Sequence, residues 1–338
     1  MTKNDRAKKK AEDAIRKAFQ QSIANMKGAK LSDLIKAIEA KDIDAAIKIL
    51  KIDRTSLSAL ETELNNAYYS GAELVVDKVG NVQTKVGNVL FQFDYRSAAA
   101  ERWVAEYSSK LIQEVTEEQK SLVRLALEKE IAAGTNPRTA ALSLVGKVDP
   151  VTGSRVGGMI GLHPTQTQWL GKAWEELHNL DANYLTRGLR DKRFDAMVKQ
   201  AIADGVPLTD EQIRTIMARM EARTLKYRGD VIARTESITA LRAGQHEGMK
   251  QVIELGEVDQ QDVRKMWDAT MDSRTRDSHA DMDGKEVGID EPFDVNGSPM
   301  MYPGDSSLGA EPEEVIQCRC RVSYKIDFIG KAVRMEKL

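Results

Sequence analysis

Cysteine occurs only twice in the chain, at Cys318 and Cys320. A one-residue spacing rarely suits a disulfide between the two, which excludes a secreted disulfide scaffold and leaves them as thiols or ligands. Aromatic residues make up 5% of the sequence, so helices packed through small and medium side chains are expected in place of a dense sandwich. No apolar run approaches the roughly 18 to 20 residues that cross a bilayer, and the opening MTKNDRAKKKAEDAIRKAF lacks the apolar stretch of a signal peptide. No membrane partner is expected, and synthesis in a cytoplasm is the default. A surplus of one charge is missing too. With 50 Lys and Arg against 52 Asp and Glu, no global field draws the molecule to nucleic acid, and any contact with DNA must be local.

The 338 residues do contain 41% hydrophobic and 30% charged positions, the balance of a helix-rich globular protein long enough for two or three domains. Apolar spacing at Ala11, Ile15, Ala18, Phe19, Ile23 and Met26 predicts a first helix stopped by Gly28, and Ser32 and Asp42 cap the next two. Lys78-Val79-Gly80-Asn81-Val82 recurs seven residues later as Lys85-Val86-Gly87-Asn88-Val89. Gly-Asn between β-branched residues breaks helices, so 75–95 reads as a loop or irregular β segment. Helices resume at Ser97. Capping-box spacings at Thr116, Thr165 and Thr209 predict helix starts, Asn136-Pro137 opens another helix, and a long helix is expected over 218–255. The Gly-rich stretch 146–163 reads as an exposed turn. It lacks the Lys-Ser/Thr pair and preceding strand of a phosphate cradle.

After Gly256 the texture changes. Residues 263–270 and 320–326 read as strands, separated by Gly-, Pro- and Asp-rich sequence. The expected fold class is α+β: a mainly helical N-terminal two thirds and a small C-terminal α+β module with a short antiparallel sheet and long irregular loops. Three regions are expected: 1–96 including the irregular 75–95, a helical 97–217, and a module at 218–338 led by the long helix.

The last region carries an ordered set of motifs: Arg234 and Glu236 on the long helix, Trp267, then Asp272 and Arg274, His279, Asp283-Gly284, Pro303-Gly304-Asp305, and Cys318-Arg319-Cys320. In this order they resemble the Mu F-like minor head protein family of tailed bacteriophages over about residues 190–326. The resemblance implies a structural minor head protein inside the virion head near the portal, acting in head assembly and genome ejection. It implies the portal protein and coat or scaffold protein as partners, with packaged DNA met locally, and it identifies no active site. Some family members carry ADP-ribosyltransferase toxin domains. Here the chain ends a few residues after the second strand, so no such domain is expected, and Glu311-Pro312-Glu313-Glu314 reads as a turn with Pro312 at the first helical position.

Read as chemistry, Arg234 and Glu236 are two apart and cannot face each other on a helix, so each is expected to hold another segment. The mixed charges of Asp272, Arg274, Arg276 and Asp277 suit a network that pins a loop better than a phosphate contact. His279, Cys318 and Cys320 form the most chemical constellation. Thiolates and an imidazole suit a structural Zn²⁺, and Asp281, Asp283 or Asp305 would supply the fourth donor. The alternatives are buried thiols beside a hydrogen-bonded His279, or a metal-dependent nuclease using His279 with Asp277, Asp281 and Asp283. A single histidine after residue 250 weighs against the nuclease, and no catalytic residue or cofactor beyond this zinc is expected.

Overall fold

The computed structural model describes residues 2–79, 81–84, 87–256 and 258–327, with backbone alone over 81–84 and 87–90. The repeat positions Gly80, Lys85 and Val86, and residues 328–338 of the last expected region, lie outside the described residues. The chain is mainly helical, with a small C-terminal region of short antiparallel sheets, as the α+β reading expects.

The first helix, Lys3–Lys27, buries the predicted stripe of Ile15, Phe19, Ile23 and Met26 and ends before Gly28, whose N–H caps Ala24 O at 2.9 Å. Asp42 caps Ile43–Ile49 through Ala45 N, and Asn136 and Pro137 open Pro137–Val145, both as expected. Ser32 does not cap. It sits inside Leu31–Glu39, whose cap position is Lys30. The helix Ser58–Val79 runs through residues 75–79 of the stretch read as irregular because Val75 is buried there. Beyond it, Asn81–Thr84 and Gly87–Leu90 pair antiparallel.

Two capping boxes were misplaced. Thr116 lies inside Ser109–Ala132 and bonds back to Ile112 O at 2.7 Å, because its neighbour Gln119 is committed to Gly161 N and Leu162 O rather than to a helix start. The helix Pro164–His178 is capped by His163 paired with Gln166, two residues before the predicted Thr165. Thr209 does form its box with Gln212. It opens the long helix itself, which runs unbroken for 45 residues as Asp210–Glu254.

Packing gathers these elements into two units, one built from 1–17, 60–110 and 231–338 and the other from 18–59 and 111–230. In the second, Leu162, Leu170, Ala173, Leu177, Tyr184, Ile213 and Ile216 form an apolar cluster of interdigitating helices. In the first, the long helix passes so close to Ser58–Val79 that a Cβ at Gly244 would lie 1.8 Å from Tyr68 O, and one at Gly71 would lie 2.1 Å from Leu241 O.

The C-terminal part of the first unit is a three-stranded antiparallel sheet in the order Glu286–Gly288, Val263–Asp268, Arg321–Ile326. Val263, Lys265 and Trp267 alternate inward on the central strand, where Trp267 is fully buried. A hairpin of Phe293–Val295 with Ser298–Met300 and two one-turn helices, Asp277–Ala280 and Pro312–Val315, lie along the connection between the central strand and Arg321–Ile326.

Candidate metal centre

The connection between the strands Val263–Asp268 and Arg321–Ile326 contains few regular hydrogen bonds, so side chains must satisfy its backbone. Asp283 Oδ1 accepts from Ala269 N at 2.9 Å, while Gly284 N donates to Trp267 O. Asp305, 1% exposed, accepts from Met301 N and Ser307 N, both at 2.9 Å. Gly304, at φ 86°, turns its carbonyl to the Thr239 hydroxyl on the long helix at 2.8 Å, and Pro303 is buried beside it. Asp272 meets Arg319 through two bonds of 2.5 Å and accepts from Arg274 N, whereas the largely exposed Arg274 side chain approaches the same carboxylate at 3.7 Å. Lys265 is fully buried, donates to Met301 O at 2.7 Å, and is held down to about 8 by burial.

The long helix holds the far end of this connection. Arg234 donates to Gln317 Oε1 at 3.1 Å, and the Thr235 hydroxyl accepts from Gln317 N at 3.0 Å. Glu236 accepts from Tyr107 OH at 2.7 Å, a bond that together with burial pushes the Tyr107 hydroxyl well up. Arg234 and Glu236 thus reach different segments. Gln317 has φ 58°, so the turn before Cys318 is set by tertiary bonds against its own preference.

Where these restraints converge lie His279, Cys318 and Cys320, each 2% exposed. His279 Nδ1 is 3.4 Å from Cys320 Sγ and 3.7 Å from Cys318 Sγ. Trp267 packs edge-on against the imidazole, ring centroids 5.4 Å apart. On the other side of the ring, Nε2 lies 2.9 Å from Glu314 Oε2, a charge contact whose angle falls short of a hydrogen bond. Ser278 Oγ donates to the same carboxylate at 2.9 Å. The two thiols titrate as a pair. Cys320 is driven down by the hydrogen bond from Cys318 and then by His279, while Cys318 is driven up by that same bond and by burial.

Among the described residues, the clustered donors are His279, Cys318 and Cys320, within 4.8 Å of one another. The aspartates considered for a fourth donor are placed differently: Asp283 and Asp305 serve backbone N–H groups, and Asp281 is exposed. Glu314 is the residue sequence reasoning passed over as part of a turn. Its position four residues before Cys318, beside a Cys-x-Cys pair, was the available signal.

The Gly-rich stretch 146–163 is no phosphate cradle. The buried Lys27 ammonium donates to Gly157 O at 2.8 Å, and Glu221 accepts from Gly158 N at 3.1 Å. A carboxylate thus occupies the place an anion would need; Gly157, Ile160, Gly161 and Leu162 are buried, while Lys147, Val148 and residues 150–154 are exposed as expected.

The fold and site define a helix-rich protein whose C-terminal α+β module is pinned by buried polar side chains around a Cys-Cys-His donor set. Residues 192–323 match the family described as Phage Mu protein F like protein. The chain is 30% identical over 128 residues to minor head protein GP7 of Bacillus phage SPP1, an overlap of 38% of this chain and 35% of that protein. It is 34% identical over 105 residues to NAD(+)-arginine ADP-ribosyltransferase EFV of Enterococcus faecalis, covering 31% of this chain and 20% of that one. It is also 31% identical over 106 residues to protein YqbB of Bacillus subtilis, covering 30% and 32%. The chain thus spans about a third or less of the length of these relatives. No solved structure matches it. Among the described residues no helix is long and apolar enough to cross a membrane.

Proposed function

We propose that the protein is a low-copy structural component of a tailed phage head, lying inside the head near the portal and acting in head assembly and later in genome ejection. The observation that carries this reading is the Mu F-like stretch at 192–323, supported by the identity to a minor head protein of phage SPP1. The portal protein and coat or scaffold protein are its proposed partners, and packaged DNA is met only by local contacts, in keeping with a formal net charge of −2.

The role is structural. The relation to an ADP-ribosyltransferase leaves four fifths of that enzyme unmatched. Glu311 and Glu313 are exposed with no converging polar cluster described around them, and Glu236 is engaged by Tyr107. The nuclease alternative fares no better, since His279 turns to the thiols and Glu314 while Asp277 and Asp281 face solvent. Mass spectrometry of purified virions and procapsids, with copy number measured against the portal protein, tests the reading. A few copies per head are expected, and absence from both particles overturns it.

A further inference from the structure

The His279, Cys318 and Cys320 cluster is built as a ligand set. Two imidazole-to-sulfur distances, 3.4 and 3.7 Å, bracket the separation a tetrahedral zinc would impose. Zn–N of about 2.05 Å and Zn–S of about 2.3 Å at a tetrahedral angle put nitrogen and sulfur about 3.6 Å apart. A plain S–H···N pair requires one short approach, not two nearly equal ones. The imidazole is also presented the right way round. Its Nε2 lies 2.9 Å from Glu314 Oε2, and Nδ1 is the ring nitrogen turned toward both sulfurs. A carboxylate behind a ligating histidine is the usual outer partner in zinc sites, where it fixes ring orientation and raises ligand basicity. Glu314 is itself held by Ser278, and Thr270 N–H reaches the Cys320 sulfur.

We infer that this cluster binds one Zn²⁺ through His279 Nδ1, Cys318 Sγ and Cys320 Sγ, with Glu314 as the outer carboxylate. Two thiolates neutralise the ion's charge inside a buried site, and the described residues leave the fourth tetrahedral position to a ligand from outside this donor set. The ion clamps the one-turn helix Asp277–Ala280 to the start of the last strand, closing a loop of 41 residues between His279 and Cys320. Virion residence plays no part in this inference, so the two readings fail separately.

The test uses the full chain purified without chelator from zinc-supplemented cells, with metal measured by plasma mass spectrometry. Cobalt(II) exchanged into the site serves as the spectroscopic probe. One zinc per chain and thiolate-to-cobalt charge-transfer absorption are expected, with that absorption reduced in both C318S and C320S. E314Q should keep the metal but bind it about 10–100-fold more weakly. Wild-type protein that melts cooperatively, carries no stoichiometric zinc and gives no thiolate–cobalt band overturns the site. That measurement needs no variant to fold. An E314Q affinity equal to wild type overturns the role given to Glu314.

Discussion

Between Leu162 and Met220 order comes from apolar side chains: Leu170, Leu177, Ile213 and Ile216 are buried against one another, and the helices satisfy their own backbone. Between Val258 and Asp327 the backbone is largely irregular, and Asp283, Asp305, Thr239 and Arg234 supply the bonds that regular structure would have supplied. The first arrangement tolerates exchange among residues of similar size, because burial is non-directional. The second does not, since each polar group serves one or two named atoms.

The comparison breaks most severely at the helix crossing beneath the C-terminal module. Gly244→Val places carbon where Tyr68 O already stands, and separating the two helices should cost about 3 kcal/mol or more. Chemical denaturation followed by tryptophan fluorescence should show a lower midpoint. An unchanged midpoint would mean that the close approach is not required.

Next come two truncations that set the regions side by side. Leu177→Ala should lower stability by about 2–5 kcal/mol through cavity formation. Asp305→Ala should cost about 1–3 kcal/mol by leaving two backbone N–H groups unpaired. Hydrogen exchange separates the mechanisms: Leu177→Ala should speed exchange throughout its helices, and Asp305→Ala should do so mainly over 299–308. Equal, global effects would erase the distinction drawn between apolar and polar scaffolding.

The smallest effect expected is pH dependence at His246, held down to about 3 by burial and by the charges of Lys265 and Lys250, against the opposite pull of Asp290. Tyr302 packs beside the ring, and Nδ1 finds no hydrogen-bond partner. The unfolded chain takes up this proton first as pH falls, so stability is full above about 6.5 and declines below it, by about 1 kcal/mol over the first unit of pH. Stability measured from neutral to mildly acidic pH in wild type and His246→Gln tests this, and the slope should flatten in the variant. Parallel slopes would assign the acid loss to other groups.

Much of the fold was legible because it rests on local rules. The apolar stripe of the first helix, the caps at Asp42 and Asn136, the Thr209 box and the two alternating strands all emerged from periodicity and side-chain chemistry alone. The errors have more than one cause. At Thr165 the competitor is local, since His163 with Gln166 takes the cap, whereas at Thr116 the needed Gln119 is claimed by the distant Gly161, so a long-range hydrogen bond overrode local preference. The clamp of Lys27 and Glu221 on the Gly-rich stretch was invisible for the same reason, its partners being 130 and 63 residues away.

By itself the sequence determined the helical character, the α+β texture after Gly256, the motif order that marks the Mu F-like stretch, and His279, Cys318 and Cys320 as the residues with chemistry to offer. Tertiary structure alone decided that segments far apart in the chain pool into the same unit, that Glu314 stands behind His279, and that no aspartate joins the three donors. The division is physical. Periodicity and capping act over a few residues and are written in consecutive positions, whereas the distance between two sulfurs and an imidazole 41 residues away depends on every bond that fixes the loop between them.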